Sequence, residues 1–129
     1  MNEIEQLVAD ITKVVVAALE DTKGKDLVVL KTTELTSMFQ QLIVVTGDSN
    51  RQVKSLIRNA ELALKEANLE VLSVEGMDSG EWVLLDAGDV VVHAMLPAVR
   101  DYYDLEALWG GEKPSFHMGH AKPWSAADI

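Results

Sequence analysis

The chain has 129 residues, 48% hydrophobic and 25% charged, the balance of one ordinary globular domain long enough to bury a core. It holds no cysteine, which excludes disulfide frameworks, thiol nucleophiles and cysteine-based metal sites. Its formal net charge of -10 argues against phosphate-driven nucleic-acid binding, which needs clustered Lys and Arg, and suits an acidic protein that is steered to a basic partner or simply kept soluble.

No stretch approaches the roughly 18 apolar residues of a membrane span. The start, Met1-Asn2-Glu3, lacks the basic opening of a signal peptide. A cytoplasmic protein with no membrane partner is expected.

The first element is an amphipathic helix over Glu3–Asp21. Ile4, Leu7, Val8, Ile11, Val15, Ala18 and Leu19 recur on one face, Glu3 and Glu5 suit the helix dipole, and Lys23-Gly24-Lys25 supplies a stop. Asp26 to Lys31 reads as a short strand. Thr32 to Phe39 is polar, with Leu35, Met38 and Phe39 at near-helical spacing, and reads as a loop or a single helical turn. Gln40 to Thr46 has four consecutive aliphatics and reads as a buried strand.

Gly47-Asp48-Ser49-Asn50 then leads into a helix over Arg51–Asn68, with Val53, Leu56, Ile57, Ala60, Leu64 and Ala67 as its apolar stripe. Asp48 or Ser49 can cap its start, and Asn68 can take the left-handed conformation at its end. A strand, a glycine turn and a helix is also where many folds bind phosphate. Neither GxGxxG nor GxxxxGK[ST] is present, however, so this turn reads as a helix cap. Leu69 to Val74 reads as a strand, and Glu75 to Gly80 as a loop.

Trp82 to Met95 is the most informative stretch. Two apolar runs, Trp82–Leu85 and Val90–Met95, flank Asp86-Ala87-Gly88-Asp89, a turn composition that predicts a hairpin. If Ala87-Gly88 is a two-residue turn, Asp86 pairs with Asp89 and Trp82 with His93. Side chains alternate across a strand, so Val83, Leu85, Val90, Val92 and Ala94 share a core face. Trp82, Leu84, Val91, His93 and Met95 share the other, either a second buried layer or a patch for a partner. Pro97 suits the first turn of a final short helix running to Trp109, which Gly110-Gly111 ends. The remaining stretch is aperiodic and reads as a flexible tail.

The pattern is therefore α-β-β-α-β-β-β-α. It implies an α/β fold (α+β mixed sheet) of about five strands, with helices mainly on one face and part of the other face open. Residues 1–109 read as a single domain and 110–129 as the tail.

Chemistry is harder to find. Asp86, Asp89, His93, Glu75 and Ser49 are the candidate catalytic groups. Asp86 and Asp89 at a hairpin tip are a possible divalent-metal pair, but turns favour Asp for backbone reasons alone. His117 and His120 have no carboxylate or cysteine nearby to complete a metal set, and Ser49 has no evident triad partners. No catalytic residue, metal ligand or cofactor site is assigned.

Trp82-Val83-Leu84-Leu85-Asp86-x-Gly88-Asp89-Val90-Val91-Val92-His93, followed by Arg100-x-x-Tyr103-x-Leu105-Glu106-x-Leu108-Trp109, resembles the ribosomal silencing factor family, also called Iojap-like proteins. Thr46-Gly47-x-Ser49-x-Arg51-x-Val53 and Glu75-Gly76 resemble two further motifs of that family, in order. The resemblance runs from about Leu7 to Trp109 and leaves out the tail from Gly110 onward. Two departures stand out: Gln52 where the family usually has His, and Phe39-Gln40 where it usually has Thr-Asp.

The resemblance implies a nucleotidyltransferase-like fold without that activity, and the absence of a D-x-D pair after Gly47-Asp48-Ser49 agrees with the loss. It implies a protein that is no enzyme. Such a protein binds the large ribosomal subunit through its basic fourteenth ribosomal protein, blocks joining of the small subunit and represses translation. With that partner in view, Trp82, Leu84, His93 and Met95 are expected to form an apolar contact centre with Asp86 and Asp89 as its acidic rim. Tyr103 and Trp109 are assigned to packing. No direct sequence-specific nucleic-acid contact is expected, and an open sheet face also suits a homodimer. The alternative from another class is a metal-dependent nucleotidyltransferase or phosphohydrolase using Asp86 and Asp89.

Overall fold

The computed structural model describes residues 2–32 and 39–103. The expectations for Leu35 and Met38, for the Tyr103 side chain, for Trp109 and for the tail lie outside the described residues. Eight elements follow in the expected order: α1 (Glu3–Asp21), β1 (Lys25–Lys31), β2 (Gln41–Thr46), α2 (Asn50–Glu66), β3 (Ser73–Glu75), β4 (Trp82–Asp86), β5 (Val90–Met95) and α3 (Pro97–Tyr103).

The strands form one five-stranded mixed sheet in the order β1-β2-β5-β4-β3. Only β2 and β5 run parallel; the other neighbours are antiparallel. The parallel pair lies at the centre, which is why its residues are apolar on both faces.

Helices α1 and α2 cover one face. Ile11, Val15 and Leu19 of α1 and Val53, Leu56, Ile57 and Leu64 of α2 meet Ile43, Val45, Val83, Leu85, Val92 and Ala94 of the sheet in the main core. Side chains spaced three and four apart on each helix make that stripe. Asn2 caps α1, its side chain accepting from the Glu5 amide at 2.7 Å. Both helices end in the same motif. After α2, Asn68 takes φ 60°, the Leu69 amide donates to the Leu64 carbonyl (2.8 Å) and the Asn68 amide to Lys65 (3.0 Å). After α1 the left-handed residue is Lys23 (φ 65°) rather than Gly24, and the Gly24 amide closes onto the Leu19 carbonyl (2.9 Å).

The second face is covered over its centre and open in part, as expected. Leu42 and Val44 of β2 and Val91 and Met95 of β5 are buried in a smaller core with Phe39. Leu30, Trp82, Leu84 and Val99 of α3 pack against it, part-buried. Arg100, itself buried, donates from Nη1 to Thr46 Oγ1 (2.8 Å) and pins α3 to the end of β2. Among the described residues, Trp82 and Leu84 of β4 and Val28 and Leu30 of β1 stay part-exposed on either side of this core.

Strand boundaries differ from expectation by one residue at β2, which starts at Gln41, and at β4, which runs to Asp86, and also at β3 and β1. β3 is only Ser73–Glu75, because the α2 end motif consumes the Leu69 amide and the chain re-enters the sheet where the Leu72 amide meets the Asp86 carbonyl (2.8 Å). β1 begins one residue early, at Lys25, across an irregular step that places Asp26 at φ 50°.

Candidate functional site

The hairpin register differs from the two-residue-turn reading. Trp82 pairs with Met95, Leu84 with His93 and Asp86 with Val91, so each β4 residue pairs two positions further along β5 than expected. The cause is the turn: the Asp86 carboxylate accepts from the Gly88 amide (2.8 Å), the Ala87 amide donates to the Val90 carbonyl (2.9 Å), and Ala87–Val90 together make the connection. A shift of two preserves the alternation, so the expected faces stand.

Trp82 and His93 thus lie diagonally on the same face, with ring centroids 5.8 Å apart and planes tilted by 53°. Trp82 Nε1 donates to His93 Nδ1 at 2.8 Å. That bond sets the tautomer, with the imidazole proton on Nε2. His93 is fully buried, and desolvation lowers its pKa to about 3. It is a neutral imidazole at physiological pH, an interior group rather than a titrating surface one.

The six expected contact residues fall into two groups by exposure. Trp82, Leu84, Asp86 and Asp89 are part-exposed. His93 and Met95 are wholly buried, beside Leu84 and Trp82 on the neighbouring, more central strand. Only the first four are accessible on this face, and the buried pair flanks Trp82, which His93 holds through the Nε1–Nδ1 bond.

Sequence reasoning had no means of ranking Glu75 as part of this surface. It pairs with Leu84 across the β3–β4 register and is exposed, so a carboxylate flanks the apolar strip on that side too. Gly76 follows it at φ +91°, and a Cβ there would lie 2.2 Å from the Trp82 carbonyl. Only glycine lets this loop approach β4 so closely, which fixes the start of the strand that carries Trp82. Asp89 contributes its carbonyl, which accepts from the Gln40 (2.7 Å) and Gln41 (3.1 Å) amides and so ties the β4–β5 turn to β2.

The β2–α2 turn is a helix cap, as expected, and is tied down by its own side chains. Ser49 is the cap: its Oγ accepts from the Gln52 amide at 3.1 Å. The Asp48 amide donates to Gln52 Oε1 at 2.6 Å. Gln52 Nε2 reaches back to the Lys23 (3.1 Å) and Thr22 (3.3 Å) carbonyls. Gly47 packs so closely that a Cβ would meet Val53 Cγ2 at 2.8 Å and its amide nitrogen at 3.0 Å. Gln52 therefore acts as a clamp between the end of α1 and the start of α2, and Phe39, the other departure, fills the second core. Among the described residues no group of three or more His, Asp or Glu is placed to hold a metal, and no helix is long and apolar enough to cross a membrane.

Together these features define a small mixed α/β domain with an apolar strip framed by carboxylates and a β2–α2 turn closed by the Ser49 cap and the Gln52 clamp. The family model described as ribosomal silencing factor during starvation matches residues 5–128, and the chain belongs to the ribosomal silencing factor family. The likeness thus continues past Gly110, beyond the motifs that first carried it. The chain is 64% identical over 119 residues to ribosomal silencing factor RsfS of Chromobacterium violaceum, covering 92% of this chain and 98% of that one. A crystal structure of a protein from that organism superimposes with a TM-score of 0.78 at 64% identity, covering 91% of this chain and 98% of that one. A mouse protein named mitochondrial assembly of ribosomal large subunit protein 1 is 26% identical over 97 residues, 73% of this chain and 42% of the mouse protein. These names describe ribosome-associated regulatory factors rather than enzymes.

Proposed function

We propose that this protein binds the large ribosomal subunit through a basic ribosomal protein, the fourteenth in the usual numbering, at the subunit interface. Seated there it blocks joining of the small subunit and represses translation in the cytoplasm, with no chemistry of its own. The observation that carries the reading is the strip of Trp82 and Leu84, part-exposed and flanked by Glu75, Asp86 and Asp89, on a chain of this family. A part-buried aromatic anchor with polar groups at its rim is common interface anatomy. The net charge of -10 favours a basic protein over RNA as the surface it meets. The mouse relative's name, which refers to the ribosomal large subunit, points to the same particle.

His93 and Met95, buried on the neighbouring strand, enter as the support beside the strip. A second copy of the chain would compete for the strip, so a homodimer and the ribosome-bound form exclude one another in this reading. The test is sedimentation of purified large subunits with the protein, followed by small subunits. Co-sedimentation with the large subunit and loss of the joined particle are expected. Asp89→Lys and Glu75→Lys should abolish most of that effect while melting like the parent, because their side chains sit at the surface. Joined particles forming normally in the presence of bound protein would reject the blocking mechanism.

A further inference from the structure

The strip of Trp82 and Leu84 has carboxylates on both sides, Glu75 on β3 and Asp86 and Asp89 at the β4–β5 turn. One stretch of the chain itself has the complementary composition. Residues 113–127 are the longest run without Asp or Glu in a chain that holds 21 of them. The first part of that run, Lys113 to Lys122, sets Phe116 and Met118 between two lysines and beside His117 and His120. An apolar centre with cations at both ends is the complement of an apolar strip framed by carboxylates.

Connectivity brings that stretch to the strip. Trp82 pairs with Met95, and the Leu96 amide donates to the Glu81 carbonyl (3.0 Å), so α3 starts at the end of β4 that carries Trp82. Val99 packs in the second core and Arg100 bonds Thr46, which keeps α3 on the strip's face of the sheet. The seven residues of α3 rise only about 10 Å. From Tyr103 to Lys113 the extended chain can span about 33 Å, and β4 itself is about 16 Å long, so the strip lies well within reach. The family match runs through this stretch to residue 128.

We infer that Lys113–Lys122 docks on the Trp82–Leu84 strip of its own chain and covers it until a basic partner displaces it. The displacement rests on the ribosome-binding reading, whereas the contact within the chain stands apart from it. A tethered segment acts at an effective concentration on the order of millimolar, so a weak contact suffices. Covering the strip about two-thirds of the time weakens the apparent affinity for the partner about threefold. The experiment uses the full chain. Phe116→p-benzoylphenylalanine, irradiated in dilute solution, should crosslink within one chain to the peptide that holds Trp82–Asp86, and saturating large subunits should suppress that product. Phe116→Ser combined with Met118→Ser leaves the net charge unchanged and should tighten binding to purified large subunits about threefold. Crosslinks to another part of the chain, to a second copy or to nothing overturn the docking. Affinity equal to the parent's or weaker, or a crosslink that persists on bound subunits, overturns the displacement. A chain that crosslinks as expected but does not bind the large subunit overturns the ribosome reading and leaves the contact in place.

Discussion

At the scale of single residues, His93 shows how burial decides what a titratable group does. In sequence it is the one ionisable side chain in an otherwise apolar face, and it reads equally as a contact residue or an interior one. In the fold it accepts from Trp82 and is fully buried, with its pKa lowered from 6.5 to about 3. The unfolded chain therefore binds a proton between those values that the folded chain does not, and stability rises with pH across that window. His93 should make the protein progressively less stable as pH falls below about 6.5, by up to ~1.4 kcal/mol per pH unit. Urea midpoints at pH 7.0, 6.0 and 5.0, above the range where surface carboxylates titrate, measure it. The slope should vanish in His93→Gln, and an equal slope in that variant would assign the effect elsewhere. The same geometry makes Trp82→Ala a poor probe of binding, since it removes the His93 donor and part of the second core together with the contact.

At the scale of elements, the helices and the order of strands were legible because periodicity and capping are local. α1 and the Asn68 end of α2 stand where the spacing and the cap residues place them. The β4–β5 faces were legible for the same reason, but their register was not, because Asp86 bonds the Gly88 amide and enlarges the turn. Two connections carry predictions. Gly76→Ala forces a side chain onto φ +91° and against the Trp82 carbonyl, and should cost about 2–4 kcal/mol, read as a lowered denaturation midpoint. An unchanged midpoint would mean the loop sits elsewhere. Gln52→Ala removes the bonds to the Asp48 amide and to the Lys23 and Thr22 carbonyls, and should cost about 1–2 kcal/mol. Faster amide exchange confined to residues 22–25 and 47–52 is the accompanying signature of a lost clamp.

At the scale of the whole molecule, charge and family resemblance together decided more than any local motif. A chain of net charge -10 that meets a basic protein should associate quickly at low salt and slowly at high salt. Stopped-flow association with large subunits should slow about tenfold between 50 and 300 mM salt, with a smaller change in the dissociation rate. A rate independent of salt would remove electrostatics from the encounter. The sequence by itself determined the α-β-β-α-β-β-β-α order, the core face of the hairpin and the family, since each rests on spacing, composition or a run of neighbouring residues. Tertiary structure decided that His93 and Met95 are buried beside the strip, that Glu75 stands next to Leu84, and that Gln52 clamps the β2–α2 turn to the end of α1. Each of those depends on which distant strand, loop or helix packs against the residue, and burial, register and desolvation are properties of that packing rather than of the local chain.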